Sequence, residues 1–309
     1  MRTKRQQWRG KLGAEMLRNS LVRKALVASG IATLMLSSTL VAGAATTTGK
    51  YNAANAKLVP TSLAGKTLQV ATDPSYAPDE SMSGSKIIGF DIDLMNAVAV
   101  TLGLKANHNN VTFDNIIAGL LSKKYQVGNS SFTDNKTREK QVNFVDYFQA
   151  GEGVYAKSSS MVKFTGFSSF CGLKIAVEKG TVEETDAAAA LKACTTDKTG
   201  SILSFATQTE ANTAVSSGQA TVGFLDSQIA GYVVSTSKGA FKLLGSAVNV
   251  APYGFATSKT PEGKALALAI QAALKTLAAN GTYGAILAKW GVSSGALTPA
   301  QMVLNGALS

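Results

Sequence analysis

The sequence predicts an α/β protein of two lobes, each of about a hundred residues, with mostly parallel sheets. Three observations predict it. Short apolar segments alternate with amphipathic ones in two successive series, as strands joined by crossover helices do. The length of 309 residues and an apolar content of 45% allow two domains with cores of their own. The loop "SSSMVKFTGFSSFCG" separates the two series.

Ahead of both series stand residues 1–45. They hold eight Lys/Arg (Arg2, Lys4, Arg5, Arg9, Lys11, Arg18, Arg23, Lys24) against Glu15 alone, which accounts for +7 of the net +11. The remaining +4 is spread over a full-size protein and is no nucleic-acid footprint. After Lys24 comes the uncharged "ALVASGIATLMLSSTLVAGAA". A basic start, an apolar centre and a small-residue end describe a secretory signal peptide, cut at Ala44 or Ala45. The alternative is an uncleaved anchor, since about 20 apolar residues can span a bilayer. No cysteine ends the apolar run, so an exported protein without a lipoprotein anchor is expected, in the periplasm or outside the cell. Residues 46–65, polar and without period, read as a flexible leader.

The first series starts at Lys66. "TLQVATD" (67–73) predicts a buried strand. "DIDLMNAVAVTLG" (91–103) predicts a helix with Asp91 as N-cap and Gly103 as stop. "FDNIIAGLLSK" (113–123) predicts another helix, and "YQVGNSS" (125–131) and "VYAK" (154–157) predict strands. In the second series "LKIAVEKG" (173–180) is a strand and "TVEETDAAAALKA" (181–193) a helix with acids in its first turn, where the dipole favours them. "SILSFA", "ATVGFL" and "FKLLG" are strands; "QTEANTAVSSG" and "DSQIAGYVVST" are helices. "YGFATSK" (253–259) is extended. "PEGKALALAIQAALKTLAANG" is a long helix between Pro261 and Gly281. "TYGAILAKWG" and "TPAQMVLNG" read as short terminal helices.

In such sheets ligands sit beyond the carboxyl ends of strands, which picks out Asp73, Thr133, Thr181 and Asp226. The sequence shows no nucleophile, phosphate-loop or metal motif, and among its many carboxylates, which leave a paired-acid mechanism open, nothing singles one out. There is one histidine, His108, expected at the surface, and no G-x-S-x-G, H-E-x-x-H or Walker pattern. No cofactor or metal is expected. Two cysteines, Cys171 and Cys194, fit a disulfide in an exported chain; two unlinked, partly buried thiols are the alternative.

"VATDPSYAPDES", "GFDIDLMNAVA", "SSFTDNKTREKQVNFVDYF", "LKIAVEKGT", "ATVGFLD" and "APYGFATSK" follow one another in an order that resembles the polar amino-acid-binding proteins of bacterial ABC importers, the family-3 extracellular solute-binding proteins. The resemblance covers about residues 65–291. It implies a two-lobed periplasmic-binding-protein-like fold (type II), with two mixed or parallel sheets joined by a two-strand hinge. Lobe 1 would comprise 66–153 and 254–309, lobe 2 residues 154–253, with crossings near 151–157 and 249–256.

The resemblance also implies roles. A free amino acid presents a carboxylate and an ammonium, and each needs a countercharge once desolvated. Arg138 matches the arginine that takes the carboxylate through two parallel hydrogen bonds. Thr133 and the backbone around Ser131 match groups completing the shells, Thr181 a donor at a helix N-terminus, and Asp226 the acid for the ammonium. Tyr76 and Phe113 match aromatic walls. Asp73 aligns with an acid used against polar or cationic side chains, and Glu178 stands where relatives carry Lys or an apolar residue. Two carboxylates favour a basic amino acid, with glutamine second. Asp79 replaces a common aromatic and reads as one more acid at the cleft mouth. The expected function is capture of an amino acid by a monomer and delivery to a membrane permease. A cleft enzyme of the cyclohexadienyl-dehydratase type and a ligand-sensing domain are the alternatives.

Overall fold

The computed structural model describes residues 47–307. The expected signal peptide and its cleavage at Ala44 or Ala45 lie outside these residues. Where it is described, the leader is packed. The Asn52 side chain caps α1 (Ala53–Ala56), Asn55 donates to Thr276 Oγ1 at 2.7 Å, and Val59 and Leu63 are buried in the main core.

The apolar run after Lys66 forms β1 (Thr67–Thr72). Three short strands then make an antiparallel sheet of their own: β2 (Ser75–Tyr76), β3 (Glu80–Ser83) and β4 (Lys86–Ile88). Strands of two to four residues leave no readable period, so the sequence did not announce them. Gly89 turns the chain into α2 (Phe90–Thr101) at φ 149°; a Cβ there would lie 1.9 Å from the Asp79 carbonyl oxygen, so only glycine fits. Asp91, expected as the N-cap, is the helix's second residue. Gly89 holds the cap position, and the Asp91 carboxylate turns inward to accept from Ser131 N–H and Tyr147 O–H.

The polar segment "KANHNN" is β5 (Lys105–Asn110), parallel to β1 at the sheet's edge. His108, expected at the surface, is half-buried there with Nε2 3.1 Å from Asn96 Oδ1. α3 (Phe113–Leu121) follows. β6 (Val127–Gly128) is shorter than the expected 125–131, because Ser130 and Ser131 leave the ladder to bond the carboxylates of Glu80 and Asp91. Ser131 does so at φ 48°, a left-handed conformation costly for a non-glycine. α4 (Lys136–Glu139) is one turn, capped by the Asn135 side chain.

Two strands are far longer than expected: β7 (Val142–Lys157) absorbs the predicted 154–157, and β11 (Phe241–Ser258) absorbs 241–245 and all but the last residue of 253–259. Between them lie β8 (Lys174–Glu178), α5 (Val182–Ala193), β9 (Ser201–Phe205), α6 (Gln208–Ser217), β10 (Val222–Asp226) and α7 (Ser227–Thr236), close to expectation. β11 (Phe241–Ser258), α8 (Pro261–Ala279) and α9 (Thr282–Trp290) complete the order. Pro261 is the first residue of α8 and the Thr260 side chain caps it. The helix expected over "TPAQMVLNG" is not formed. The tail instead pairs with β7: Asp146 N–H donates to Val303 O and Asn305 N–H to Phe144 O.

The eight-stranded sheet has the order β5-β1-β6-β11-β7-β10-β8-β9. Strands joined by helical crossovers pair in parallel; β7 and β11 run antiparallel to their neighbours and to each other. Each half of the sheet is covered on both faces. In the first half α2, α8 and α9 bury one face and α3 the other. In the second, α5 covers one face and α6 and α7 the other. Only β7 and β11 belong to both halves. Their ladder shifts register between Leu244 and Val248, between Val248 and Ala251, and between Tyr253 and Gly254. Such bulges bend and twist a strand, and they lie where the chain passes between halves. The expected α/β fold is the observed one, but its two expected sheets form one continuous eight-stranded sheet through β7 and β11, with the three-stranded β2-β3-β4 sheet beside it. A Cys171–Cys194 disulfide, Cα atoms 5.7 Å apart, ties the loop before β8 to the end of α5. Among the described residues no helix is long and apolar enough to cross a membrane.

Candidate functional site

Strand ends and helix starts from both halves converge on one cavity. From the first half come Tyr76, Glu80, Phe113, Ser130, Ser131, Thr133 and Arg138; from the second come Glu178, Thr181, Val182, Glu183 and Asp226. Eight of the nine residues singled out in the sequence line it. The free space is about 10 Å³, room for about one water, so the two walls have closed on each other.

Arg138 is held by its turn. The Asn135 cap orients α4, and the guanidinium lies 5.4 Å from the ring centres of Phe113 and Phe132, which stack on each other. Nη1 donates to Thr133 O at 2.9 Å and Nη2 to Gly180 O, across the two halves, at 3.0 Å. Among the described residues no carboxylate lies within ion-pair distance of it. Burial lowers its pKa to about 10, against the pull of Glu183 and Asp226.

Asp226 occupies the N-cap position of α7 without capping it. Its carboxylate instead accepts from Tyr76 O–H at 2.8 Å. Burial raises its pKa to about 6, while the Tyr253 and Tyr76 hydroxyls and Arg138 work the other way. Thr181 caps α5: its hydroxyl accepts from Glu184 N–H and donates to Glu178 O. What α5 turns toward the cavity is therefore its first-turn backbone and Glu183, not the Thr181 hydroxyl.

Asp73 is the one expected site residue that does not reach the cavity wall. Its oxygens accept from Ser75 N–H at 3.1 Å and Phe113 N–H at 2.9 Å, so it orders the loop and the start of α3. It stands against Glu178 of the other half. Burial raises both acids, and Asp73 raises Glu178 further. Asp79 is not at the cleft mouth. It is fully buried, accepts from Ser131 O–H at 2.9 Å and from Gln228 across the halves at 3.2 Å, and shares its site with Glu80 and Asp91. Burial and mutual repulsion raise Asp79 and Glu80; burial raises Asp91 to about 6.

Glu80, Ser130, Val182 and Glu183 line the cavity without having been singled out. Glu80 gave no signal beyond its neighbour Asp79. Glu183 did: with Ala187 and Ala190 it forms the buried stripe of α5 at helical spacing. An acid on that stripe points inward, whatever the dipole adds.

The cavity thus offers one guanidinium without an acid partner and four lining carboxyls, Glu80, Glu178, Glu183 and Asp226. That set suits a ligand carrying one carboxylate and more than one positive group.

Known proteins share this arrangement of chain. The model of the bacterial extracellular solute-binding proteins, family 3, matches residues 68–293. The arginine-binding protein ArgT of Corynebacterium glutamicum is 32% identical over 248 residues, which is 79% of this chain and 80% of that one. The ABC transporter glutamine-binding protein GlnH of Bacillus subtilis is 30% identical over 225 residues, 72% of this chain and 79% of that one. The structure of an ancestral arginine-binding protein bound to arginine is similar at a TM-score of 0.67 and 30% identity, covering 72% of this chain and 97% of that one.

Proposed function

Because the chain belongs to the bacterial extracellular solute-binding proteins, family 3, we propose that it captures a basic α-amino acid by hinge closure and delivers it to the membrane permease of an ABC importer. Arg138 takes the carboxylate with Thr133 and the start of α5. Asp226 takes the α-ammonium with the groups around Ser131. Glu178, backed by Asp73, receives the cationic side chain between Tyr76 and Phe113. The observation that carries this reading is the unpaired Arg138 guanidinium faced by four cavity acids.

The two halves act as lobes, with β7 and β11 as the hinge, a transition for which periplasmic binding proteins are a standard example. Ligand pockets run to about 300 Å³ or more, so a free space of about 10 Å³ admits an amino acid only after the lobes part. Opening breaks Arg138–Gly180, Tyr76–Asp226, Gln228–Asp79 and the Lys179–Asp114 ion pair at the rim. A ligand stabilises the closed form by replacing those contacts with its own. The protein works as an exported monomer. An enzyme on this scaffold is not favoured, because the relatives named above are binding proteins.

Isothermal titration against the twenty amino acids and ornithine tests the reading. Micromolar or tighter binding of arginine, lysine or ornithine, without turnover, is expected. Binding of none of them overturns it.

A further inference from the structure

Glu183, like Glu80, is a cavity acid that the reading above leaves without a task. It is 2% exposed, and its Oε1 is buried with no hydrogen-bond partner. It lies in the first turn of α5 and lines the cavity wall. It stands between the two charges meant for the ligand's head group: Asp226 repels it and Arg138 attracts it.

Charge decides what state it can hold. Around it are Asp226 from the end of β10, Arg138 from α4, Glu152 from β7, Glu178 from β8, Tyr76 from β2 and Asp186 from its own helix. Arg138 is the one cation in this set, and it already serves two backbone carbonyls. A bound ligand adds its own carboxylate at that guanidinium. Two anions would then compete for one cation in a dry site, which is costly.

We propose that Glu183 is a further ligand contact, which enters the closed site carrying a proton and donates it as an Oε1–H hydrogen bond to the ligand's carboxylate. The inference rests on the amino-acid reading above. The proton comes from solvent. With the lobes apart Glu183 is wetted and ionised at neutral pH; closing buries it beside Asp226 and draws one proton in. Binding through Glu183 is therefore proton-linked. Its contribution is full at acidic pH, and affinity weakens by up to about tenfold per pH unit above the ordinary glutamate range.

Glu183→Gln separates the possibilities, because its amide donates a hydrogen bond at every pH. Arginine, lysine and ornithine are titrated into both proteins between pH 6 and 8.5, in buffers of different ionisation enthalpy. Expected is an uptake of up to one proton more per ligand in the wild type than in Glu183→Gln. The affinity of Glu183→Gln relative to the wild type should rise by up to about tenfold per pH unit, so by up to about a hundredfold between pH 6 and pH 8. Equal proton stoichiometry in the two proteins overturns the inference and leaves the amino-acid reading standing. So does a tenfold or larger loss in Glu183→Gln at every pH, which would make Glu183 an ionised partner of the ligand's cations. If the wild type binds none of the three, the amino-acid reading and this inference fall together.

Discussion

Tyr76 and Asp226, 150 residues apart in sequence, hold each other twice: the Tyr76 hydroxyl donates to Asp226 Oδ2 at 2.8 Å and accepts the Asp226 N–H at 3.0 Å. One belongs to the first half and one to the second, so this pair exists only when the lobes are closed. It keeps Asp226, the acid proposed to take the ammonium, from being a bare buried charge. Tyr76→Phe removes both bonds and keeps the ring. A hydrogen bond to a charged group contributes about 1.5–3 kcal/mol, so ligand release should be about tenfold faster in stopped-flow measurements. An unchanged release rate contradicts a closing role.

Arg138 is predicted to be needed for every amino-acid ligand. Arg138→Lys keeps the charge but not the paired N–H groups. Leaving a buried carboxylate half-served costs about 2–5 kcal/mol, so affinity should fall at least about thirtyfold for all ligands in calorimetry. Retention of wild-type affinity would place the carboxylate elsewhere.

Glu178 should set selectivity rather than binding as such. Glu178→Gln removes the acid nearest the expected side-chain cation and leaves the head-group contacts. The ratio of arginine to glutamine affinity is expected to fall on the order of tenfold, since one close charge pair is at stake. A parallel loss for both ligands would show that Glu178 touches the common head group.

Away from the cavity, Asp134 and Asp146 are both 2% exposed and lie against each other under the C-terminal tail. Burial, then Asp134, raises Asp146 to about 8. The folded protein thus holds a proton that the unfolded chain has lost above its ordinary value of about 3.9. Stability from this group is present below pH ~4 and lost as pH rises toward 8. Asp146→Asn cannot ionise. It should raise stability at pH 8 by on the order of 2 kcal/mol and change little near pH 4, as read from melts at both pH values. A destabilised variant at pH 8 would show that the carboxyl is needed there.

The Cys171–Cys194 bond closes a loop of 23 residues' separation. Chain entropy alone makes that worth about 3 kcal/mol. The double serine variant should melt about 6–12 °C lower and keep its affinity, because the bond lies at the far end of α5 from the cavity. Loss of binding at temperatures where it is folded would link the bond to the site.

Much of this was legible in the chain. α5, α6 and α8 start on threonines that cap them and α9 stops at a left-handed Gly291; of the site residues, strand ends marked Thr133, Thr181 and Asp226, and the family resemblance marked Tyr76, Phe113, Ser131, Arg138 and Glu178. What the sequence determined by itself is the ordered alternation of strands and helices, and which polar groups stand at their ends. Tertiary structure alone decided the rest. Ser130 and Ser131 leave the strand for acids placed by other segments, the tail trades a helix for β7, and "KANHNN" becomes a strand because β1 offers it a free edge. Asp73 turned out to be a loop fastener, Asp79 a buried partner of Ser131 and Gln228, and Glu183 a cavity wall. The physical reason is common to all of them. A polar side chain's role depends on which partners and how much water surround it, and those arrive from segments distant in sequence, as Phe113 to Asp73, Asp79 to Ser131 and Gln228 to Asp79, only when the chain folds.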